Sequence, residues 1–403
     1  MNLLFVTNVF PNPIDPTKGL FNYYLARALA GEHDVSVVAP ISWIDELCGG
    51  GLRPWPKSAQ RTENRDGIRL DYPRYYYPPK ILRSRYGEFY WHSIRRRVRR
   101  VIERRRPDVV LSFWAHPDGE AAVRIARDCN VPAVVVVGGS DVLLLANDPS
   151  RRPRVASVLR SADAVVAVSS DLCSKVRQLG VRPEKVHVWN RGIDADIFSP
   201  GDRQAARAHL RLETTGQVLL WVGRMVAVKG LDTLLDACAI LRRQQFAFRL
   251  YLVGDGPLRS RLEKRSCALG LGDTVSFVGP RLHDELPDWY RAADLTVLPS
   301  RSEGLPNVLR ESSACGTPFV ASRVGGVPEL ACENRQRLVT PGDPVELASA
   351  IVNALEAGEC QLPARRQSSW SDSANAFVRI LEPLVSRREA QSTAPPALEF
   401  AST

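Results

Sequence analysis

Short apolar runs alternate with longer amphipathic stretches along the whole chain. In the first half, the apolar runs are LLFVT, VSVVAP, DVVLSFW, AVVVVGG and AVVAVS, and helical patterns span 21–30 and 119–127. A short apolar run followed by 3.6-residue periodicity is typical of a buried strand and its crossover helix. The pattern therefore predicts a parallel sheet built from right-handed crossovers.

A second series of the same kind begins near Gln217. Its predicted strands are VLLWVG, RLYLVG, VSFVG, LTVLPS and PFVAS, and its predicted helices span 230–243, 257–268, 284–291 and 307–314. Two such series predict an α/β protein of two Rossmann-like, doubly wound domains facing a cleft. A Ser-Pro-Gly-Asp turn near residue 200 marks the boundary. We expect domains over 1–198 and 199–370, a helix over 371–386 that returns to the first domain, and a disordered tail over 387–403.

The charge of the chain is concentrated in its first half. The net charge is +10, and residues 1–185 hold 29 Lys and Arg against 19 Asp and Glu. This excess indicates an anionic partner, either a membrane surface or a nucleic acid. No apolar run is long enough to cross a bilayer and the chain starts without a basic leader, so we expect a cytoplasmic protein. The eight cysteines are spaced singly, which favours reduced thiols over disulfides or a zinc site.

The stretch RSEGLPNVLRESSACG has the strongest chemical content. Glu303 and Glu311 stand eight positions apart, after a predicted strand and on either side of a predicted helix start at Asn307. A helix N-terminus presents free backbone N–H groups to an anion, and ligands of parallel sheets bind beside the carboxyl ends of strands. Taken singly, the two carboxylates could equally be solvated charges at a helix start.

Two cations follow the predicted strand VLLWVG. Arg224 and Lys229 stand in the loop between this strand and an amphipathic helix, where they would suit a diphosphate. The Gly-Asp-Gly-Pro turn from Gly254 to Pro257 is a weaker signal, because such a turn is more often a simple strand-to-helix corner. We find no His/Asp cluster with the ligand spacing of a metal site.

These motifs, in this order, closely resemble the retaining glycosyltransferases of family 4, also called group 1, which have the GT-B fold. The resemblance covers about residues 1 to 385. It rests on the Glu-x7-Glu pair, the Gly-Arg…Val-Lys-Gly loop from Gly223 to Gly230, the Gly-Asp-Gly-Pro turn and Asn190 to Phe198. In the first half it is looser, and is carried by Thr7 to Pro11, Lys18 to Phe21, Pro117 to Gly119 and Gly139 to Asp141.

The resemblance implies a metal-independent hexosyl transfer from a UDP- or GDP-sugar to a glycan or polyisoprenoid- or lipid-linked acceptor, in cell-surface polysaccharide biosynthesis such as exopolysaccharide. Neither a cofactor nor a metal is expected. Arg224 and Lys229 would bind the donor diphosphate, Glu303 the transferred sugar and Glu311 the ribose. The expected donor-binding residues are Gly19, Gly223, Arg224, Lys229, Gly254, Leu282, Glu303, Gly304, Leu305, Pro306 and Glu311, and the expected catalytic residues are Arg224, Lys229, Glu303 and His116.

The first half departs from the family at two positions. Family members usually show His-Gly-Ser-Asp where this chain has Gly138 to Asp141, and often a His where this chain has Phe113. These departures put a catalytic histidine in doubt, although His116 lies three residues after Phe113. They also support an alternative, a catalytically silent nucleotide-sugar-binding partner of another transferase. A GT-B isomerase or phosphorylase is a weaker alternative, because the Glu-x7-Glu pair belongs to the transferases.

Residues 89–107 predict a basic amphipathic helix. Eight arginines surround an apolar stripe in FYWHSIRRRVRRVIERRRP, and Pro107 should end the helix. Such a helix can lie on an anionic bilayer, which predicts peripheral attachment to the inner face of the plasma membrane. The stripe could instead pack on the following strand. No nucleic-acid-binding motif accompanies the arginines, so we expect no nucleic-acid partner.

Overall fold

The computed structural model describes residues 1–48, 60–212, 216–331, 337–357 and 368–393. The chain divides into two compact units, which we call unit 1 and unit 2. Unit 1 contains residues 1–168, 173–191 and the chain from Trp370 onward, and unit 2 contains residues 169–172 and 192–369. The chain therefore passes into unit 2 at Gly192, seven residues before the expected boundary at 199, and its last helix belongs to unit 1.

Unit 1 is built on an eight-stranded sheet in the order β10-β9-β8-β7-β1-β2-β5-β4. All neighbouring strands are parallel except β4 and β5, and β3 and β6 form a separate parallel pair. The strands are β1 Asn2–Val6, β2 Asp34–Val38, β3 Ile41–Ser42, β4 Thr62–Arg65, β5 Ile68–Asp71, β6 Arg74–Tyr75, β7 Val109–Phe113, β8 Ala133–Val137, β9 Ala164–Ala167 and β10 Val186–Val188.

The helices of the first 191 residues cover this sheet. They are α1 Leu20–Leu29, α2 Trp43–Cys48, α3 Tyr86–Arg104, α4 Glu120–Cys129, α5 Ser140–Leu143, α6 Arg152–Ser161 and α7 Ser170–Gln178. The helix expected over 89–107 is α3, which begins and ends three residues earlier than expected, at Tyr86 and Arg104. Its apolar stripe of Tyr90, Ile94, Val98 and Val101 is buried in the core with strand residues such as Leu4 and Val110. The stripe packs inside unit 1 and is not available for insertion into a bilayer.

Unit 2 contains a six-stranded, fully parallel sheet in the order β13-β12-β11-β14-β15-β16. Its strands are β11 Gln217–Val222, β12 Phe248–Val253, β13 Val275–Gly279, β14 Leu295–Leu298, β15 Phe319–Ser322 and β16 Arg337–Val339. Its helices are α8 Arg203–His209, α9 Leu231–Arg243, α10 Arg259–Ala268, α11 Leu286–Ala292, α12 Asn307–Ala314 and α13 Pro344–Glu356. The predicted helices and strands fall within one or two residues of their expected positions, whereas β16 and α13 were not predicted. Trp221 is fully buried in the core.

The last helix, α14 Trp370–Thr393, runs past the expected end at residue 386. The residues SRREAQST lack apolar periodicity, but Arg, Glu, Ala and Gln are good helix formers and extend the helix. The expected tail from 387 is therefore helical as far as Thr393, and residues 394–403 lie outside the described part of the chain. None of the described helices has the length and apolar character needed to cross a membrane.

Candidate functional site

Two loops follow the strands at which the order of the unit 2 sheet reverses. β11 and β14 are neighbours. The chain continues from β11 to β12 and β13 toward one edge of the sheet, and from β14 to β15 and β16 toward the other. In open parallel sheets, ligands bind at such a switch point, outside the carboxyl ends of the strands. We call residues 223–230, after β11, the first switch loop and residues 299–306, after β14, the second switch loop. Together they contain seven of the eleven expected donor-binding residues.

Arg301 fastens the two switch loops to each other. Its backbone N–H donates to Val228 O at 2.7 Å, and one guanidinium nitrogen donates to Ala227 O at 2.9 Å. The guanidinium also pairs with both carboxylate oxygens of Asp232 on α9, at 2.9 and 2.8 Å. A bidentate pair of this kind fixes orientation as well as distance. No sequence motif indicated a role for Arg301, yet Arg301 holds the two loops in register.

Lys229 and Glu303 meet across the switch point. The Lys229 Nζ donates to Glu303 Oε1 at 2.7 Å, and both side chains are largely withdrawn from solvent. The first switch loop also carries Arg224, which is exposed and whose side chain makes no hydrogen bond or ion pair with any described residue. The loop thus presents one positioned cation and one available cation at the carboxyl edge of the sheet.

Two glycines after β15 press against the second switch loop. The backbone N–H of Gly326 donates to Gly304 O at 2.8 Å, and Gly325 has a φ of +52°. A Cβ on Gly325 would lie 1.8 Å from Glu303 O, so no side chain fits there. Gly304, Leu305 and Pro306 are buried behind this contact. The backbone on either side of the Glu303 carboxylate is therefore fixed from behind.

Helix α12 begins at the end of the second switch loop without a side-chain cap. Its N-cap is Pro306, and no side chain accepts from the first-turn N–H groups. The Oδ1 atom of Asn307, the first helical residue, is buried without a hydrogen-bond partner among the described residues. The start of this eight-residue helix therefore leaves backbone N–H donors and the positive end of the helix dipole available to a ligand.

Glu311 lies one turn inside α12, fully enclosed by the protein. Its Oε2 accepts from the Tyr290 hydroxyl on α11 at 2.8 Å. Burial raises the pKa of Glu311 to about 7, while the Tyr290 hydrogen bond and the neighbouring Arg310 charge act in the opposite direction. The carboxyl group is therefore close to half ionised at neutral pH. The sequence selected Glu311 but gave no indication of Tyr290.

The glycine turn after β12 supports the first switch loop. Gly254 has a φ of +131°, and a Cβ there would lie 1.9 Å from Gly223 O. The Met225 N–H donates to Asp255 O at 2.8 Å, and Gly256 packs on the Met225 backbone. The turn is therefore more than a strand-to-helix corner, because it lets two neighbouring loops touch. Leu282 stands apart, 59% exposed on the loop after the edge strand β13.

The two site residues expected in unit 1 differ in their surroundings. Gly19 precedes α1 with a φ of +65°, and a Cβ there would lie 2.3 Å from Val9 O. His116 is buried, and its Nε2 accepts from the Gly87 N–H at 3.2 Å. Burial, with the charges of Arg151 and Arg154, lowers the pKa of His116 to about 4. His116 is therefore neutral and enclosed, which favours a structural role; its catalytic role stays a prediction.

Two buried acids in unit 1 were quoted in the motifs but given no role. Burial raises the pKa of Asp118 to about 7 and that of Asp141 to about 6. The Asn8 N–H donates to Asp118 at 3.2 Å, and the N–H groups of Gly138 and Gly139 donate to Asp141 at 3.2 and 3.0 Å. These acids tie together the loops after β1, β7 and β8. Their position, shortly after predicted strands, is the sequence signal that could have identified Asp118 and Asp141 as candidate site residues.

The two departures from the family motif are adjacent in space. A Cβ on Gly138 would lie 2.4 Å from Cζ of the Phe113 ring. The Arg191 guanidinium lies over the rings of Phe21 and Phe113, at 4.5 and 5.6 Å. The aromatic ring at 113 thus takes the space that a side chain at 138 would need. Within the described ranges, no group of three or more His, Cys, Asp or Glu side chains converges as metal ligands would.

Comparisons with known proteins bear on the chain as a whole. "D-inositol 3-phosphate glycosyltransferase 2" and "D-inositol 3-phosphate glycosyltransferase 1" of Catenulispora acidiphila are 37% and 33% identical to it, over 58% and 65% of this chain. The alignments span 60% and 69% of those relatives. The structure of Anabaena Alr3699/HepE in complex with UDP-glucose covers 97% of this chain, and all of that chain, with a TM-score of 0.69 at 20% identity.

This structural likeness confirms the predicted fold, two Rossmann-like domains of the GT-B class. Two family models also match the chain in sequence order. The model described as Glycosyltransferase Family 4 matches residues 19–197, and the model described as Glycosyl transferases group 1 matches residues 216–357. With both halves matched and a relative one third identical over most of its length, the chain belongs to glycosyltransferase family 4, the group 1 glycosyltransferases.

Proposed function

We propose that the chain is a retaining glycosyltransferase that moves a sugar from a UDP- or GDP-sugar onto an acceptor without a divalent metal. The observation that carries this proposal is the Lys229–Glu303 contact of 2.7 Å at the β11–β14 switch point, beside the exposed Arg224. Cations at this position suit a diphosphate, and a carboxylate suits the hydroxyls of a sugar. The UDP-glucose in the Anabaena neighbour supports a nucleotide-sugar donor.

The roles of the site residues follow from their positions. Arg224 and Lys229 bind the diphosphate and stabilise the negative charge that develops on it. Glu303, held from behind by Gly325 and Gly326, accepts from hydroxyls of the transferred sugar. Glu311 lies deeper in α12 and binds the ribose hydroxyls. Gly223, Gly254, Leu282, Gly304, Leu305 and Pro306 complete the proposed donor surface of unit 2, and Gly19 of unit 1 stays a predicted donor-binding residue.

The proposed step is a direct transfer on one face of the sugar. The bond between the anomeric carbon and the diphosphate oxygen breaks, and the acceptor hydroxyl oxygen bonds to the same carbon from the leaving-group side. The hydroxyl proton passes to the leaving phosphate oxygen. The products are the glycoside and the nucleoside diphosphate, so the step needs no enzyme nucleophile. This transfer requires no protein side chain as a base, and an enclosed, neutral His116 is consistent with that.

We propose as acceptor a glycan or a polyisoprenoid- or lipid-linked saccharide in cell-surface polysaccharide or glycoconjugate biosynthesis. Four exposed arginines on α3, namely Arg95, Arg96, Arg99 and Arg100, would bind an anionic bilayer. Because the apolar stripe of α3 is buried, this attachment is electrostatic alone. A second candidate acceptor is a phosphorylated inositol, which the names of the two Catenulispora relatives favour.

Donor use is tested by a turnover screen against UDP-, GDP-, ADP- and TDP-sugars, with and without EDTA. We expect one nucleotide class to support turnover that EDTA leaves intact and that Lys229→Ala removes. Lys264→Ala, which removes an exposed lysine of α10, is the matched control and should keep full turnover. Nuclear magnetic resonance of the product should show the anomeric configuration of the donor. Inversion would contradict the proposed mechanism, and donor binding without transfer to any acceptor would support the silent-partner alternative.

The acceptor classes are separated in the same assay. Inositol 3-phosphate in solution is compared with a polyisoprenoid-linked saccharide in anionic vesicles. Membrane attachment is tested by vesicle sedimentation after Arg95, Arg96, Arg99 and Arg100 are all changed to Gln. The control removes four exposed positive charges from unit 2 through Arg211→Gln, Arg243→Gln, Arg261→Gln and Lys264→Gln. Release by the α3 changes alone supports attachment, and unchanged sedimentation contradicts it.

A further inference from the structure

A groove of about 610 Å³ lies in unit 1 between α14 and the β10 edge of the sheet. Pro132, Asp163 and Lys185, which line it, each immediately precede one of the parallel strands β8, β9 and β10. Because the amino ends of parallel strands meet at one edge of a sheet, the groove opens there. None of the donor residues proposed above lines this groove. We call it the basic groove.

The acidic side chains of the basic groove already have partners. Asp163 accepts from the Ala133 N–H at 2.8 Å, and Glu184 pairs with Arg182 at 3.2 Å. Lys185 is also satisfied, since its Nζ donates to Ala162 O at 2.7 Å and to Arg160 O at 3.3 Å. The groove lining holds five Lys and Arg side chains against these two carboxylates, so a net positive charge remains.

Those remaining cations come from α14. The side chains of Arg379, Arg387 and Arg388 line the groove and make no hydrogen bond or ion pair with any residue in the described ranges. The Nε of Arg388 is also buried without a partner. Phe377, Leu381 and Val385 of α14 are buried in unit 1, which holds the helix in place. The three arginine side chains along this helix give one wall of the groove a positive charge.

The dimensions of the groove define the class of ligand. Its volume falls in the range of small-molecule sites, roughly 300 to 1,000 Å³. Arg379 and Arg387 are about 12 Å apart along the helix axis, given a rise of 1.5 Å per residue. Guanidinium forks bind phosphate oxygens in pairs, and a span of this length takes more than one phosphate group.

We propose that the basic groove binds a small soluble compound that carries two or more phosphate groups, at a site separate from the donor site. The compound is recognised by the arginines of α14 and occupies the amino edge of the unit 1 sheet. Its binding does not depend on the function proposed above, because it uses no residue of the switch loops.

Calorimetric titration with inorganic triphosphate tests the proposal. The full chain carries Arg224→Ala and Lys229→Ala, so that binding at the donor site does not contribute. We expect saturable binding that weakens at least tenfold when Arg379→Gln and Arg387→Gln are added. Arg243→Gln and Arg261→Gln on unit 2 remove the same charge and should leave the affinity unchanged. Circular dichroism of each variant confirms that it is folded.

Three results would overturn the proposal. One is no saturable binding of triphosphate, and another is equal weakening in the groove and control variants, which would show nonspecific charge attraction. The third concerns the source of the phosphates. Vesicles containing phosphatidylglycerol are added to the triphosphate complex, and we expect them to leave it intact. If the vesicles displace triphosphate from the protein whose groove arginines are unchanged, the groove binds the phosphates of lipid headgroups and not those of a soluble compound.

Discussion

The Tyr290 hydroxyl donates to Glu311 Oε2 across 2.8 Å inside unit 2, where both side chains are shielded from solvent. A hydrogen bond to an ionised carboxylate stabilises the charge, and here it works against the burial that raises the pKa of Glu311. The contact therefore controls how much of Glu311 is ionised near neutral pH.

Tyr290→Phe should shift the acid limb of the activity profile upward. Loss of a hydrogen bond worth about 1 kcal/mol raises a carboxyl pKa by somewhat less than one unit. The measurement is kcat/KM for the donor as a function of pH. Tyr72→Phe is the matched control, since Tyr72 is a buried tyrosine that donates to Glu63 at 2.8 Å in unit 1. An unmoved acid limb, or an equal shift in the control, would contradict the role of Glu311.

Lys229→Ala should lower kcat/KM by a factor of about 100 to 1,000, the usual effect of removing one preorganised donor to a developing charge. Lys229→Arg keeps the charge but changes its shape, so it should recover only part of the loss. Steady-state kinetics with the donor found in the screen give both values. Normal turnover in Lys229→Ala would show that the switch-point cation is not used.

Gly325→Ala should impair turnover through the position of Glu303. The new Cβ would lie 1.8 Å from Glu303 O, at a φ of +52° that alanine rarely adopts, and the strain should cost about 1 to 3 kcal/mol. Gly272→Ala is the control, because a Cβ there meets nothing within 4 Å. Thermal melting and turnover are compared for both variants. Full activity in Gly325→Ala would show that the backbone contact does not position Glu303.

Asp118→Asn should stabilise unit 1 increasingly as the pH rises. Burial raises the pKa of Asp118 from 3.8 to about 7, so between these values the folded state keeps a proton that the unfolded chain has lost. The free energy of unfolding therefore falls with rising pH across this window and is constant above it. The Asp118→Asn variant does not lose stability in this way. Its free energy of unfolding should therefore exceed that of the wild type by about 1 to 4 kcal/mol at pH 8.

Chemical denaturation at about pH 4.5 and about pH 8 measures this difference. His116 acts in the opposite direction, because its pKa is lowered to about 4 and its protonation in the unfolded chain reduces stability below about pH 6.5. Comparing the variant with the wild type at each pH cancels this contribution. An advantage that is equal at both pH values would show that Asp118 is ionised in the folded protein.

Local pattern was sufficient to predict the main strands and helices of both sheets, and it placed Lys229 and Glu303 each after a strand, although their contact was not predicted. These two residues are 74 positions apart, but each follows a strand of one parallel sheet, and such ends converge on the same edge. The pairing of Glu311 with Tyr290 has no comparable signal. It depends on how α11 packs against α12, and this packing is decided by shape rather than by sequence spacing.

The same limit applies to the expectation that α3 lies on a bilayer, to the β4–β5 hairpin and to the pair of Gly138 and Phe113. Arginines around an apolar stripe are compatible with a bilayer or with a sheet, and only the packing of Ile94 and Val98 in the unit 1 core decides for the sheet. The polar hairpin of β4 and β5 was not predicted, because its strand Thr62–Arg65 has no apolar alternation. Gly138 and Phe113 each differ from the family, and the coupling of these differences is visible only in the structure, where a Cβ at position 138 would lie 2.4 Å from the Phe113 ring.

The path of the chain through the two units also sets an order of folding. Trp189 of unit 1 donates through its Nε1 to Ser373 O at 2.9 Å, and its ring meets that of Phe377 at 5.1 Å. A ribosome delivers those partners only after all of unit 2 has been synthesised. Folding of unit 1 therefore cannot be completed until α14 has been synthesised. A nascent chain that ends at residue 369 would leave Trp189 exposed to chaperones and proteases.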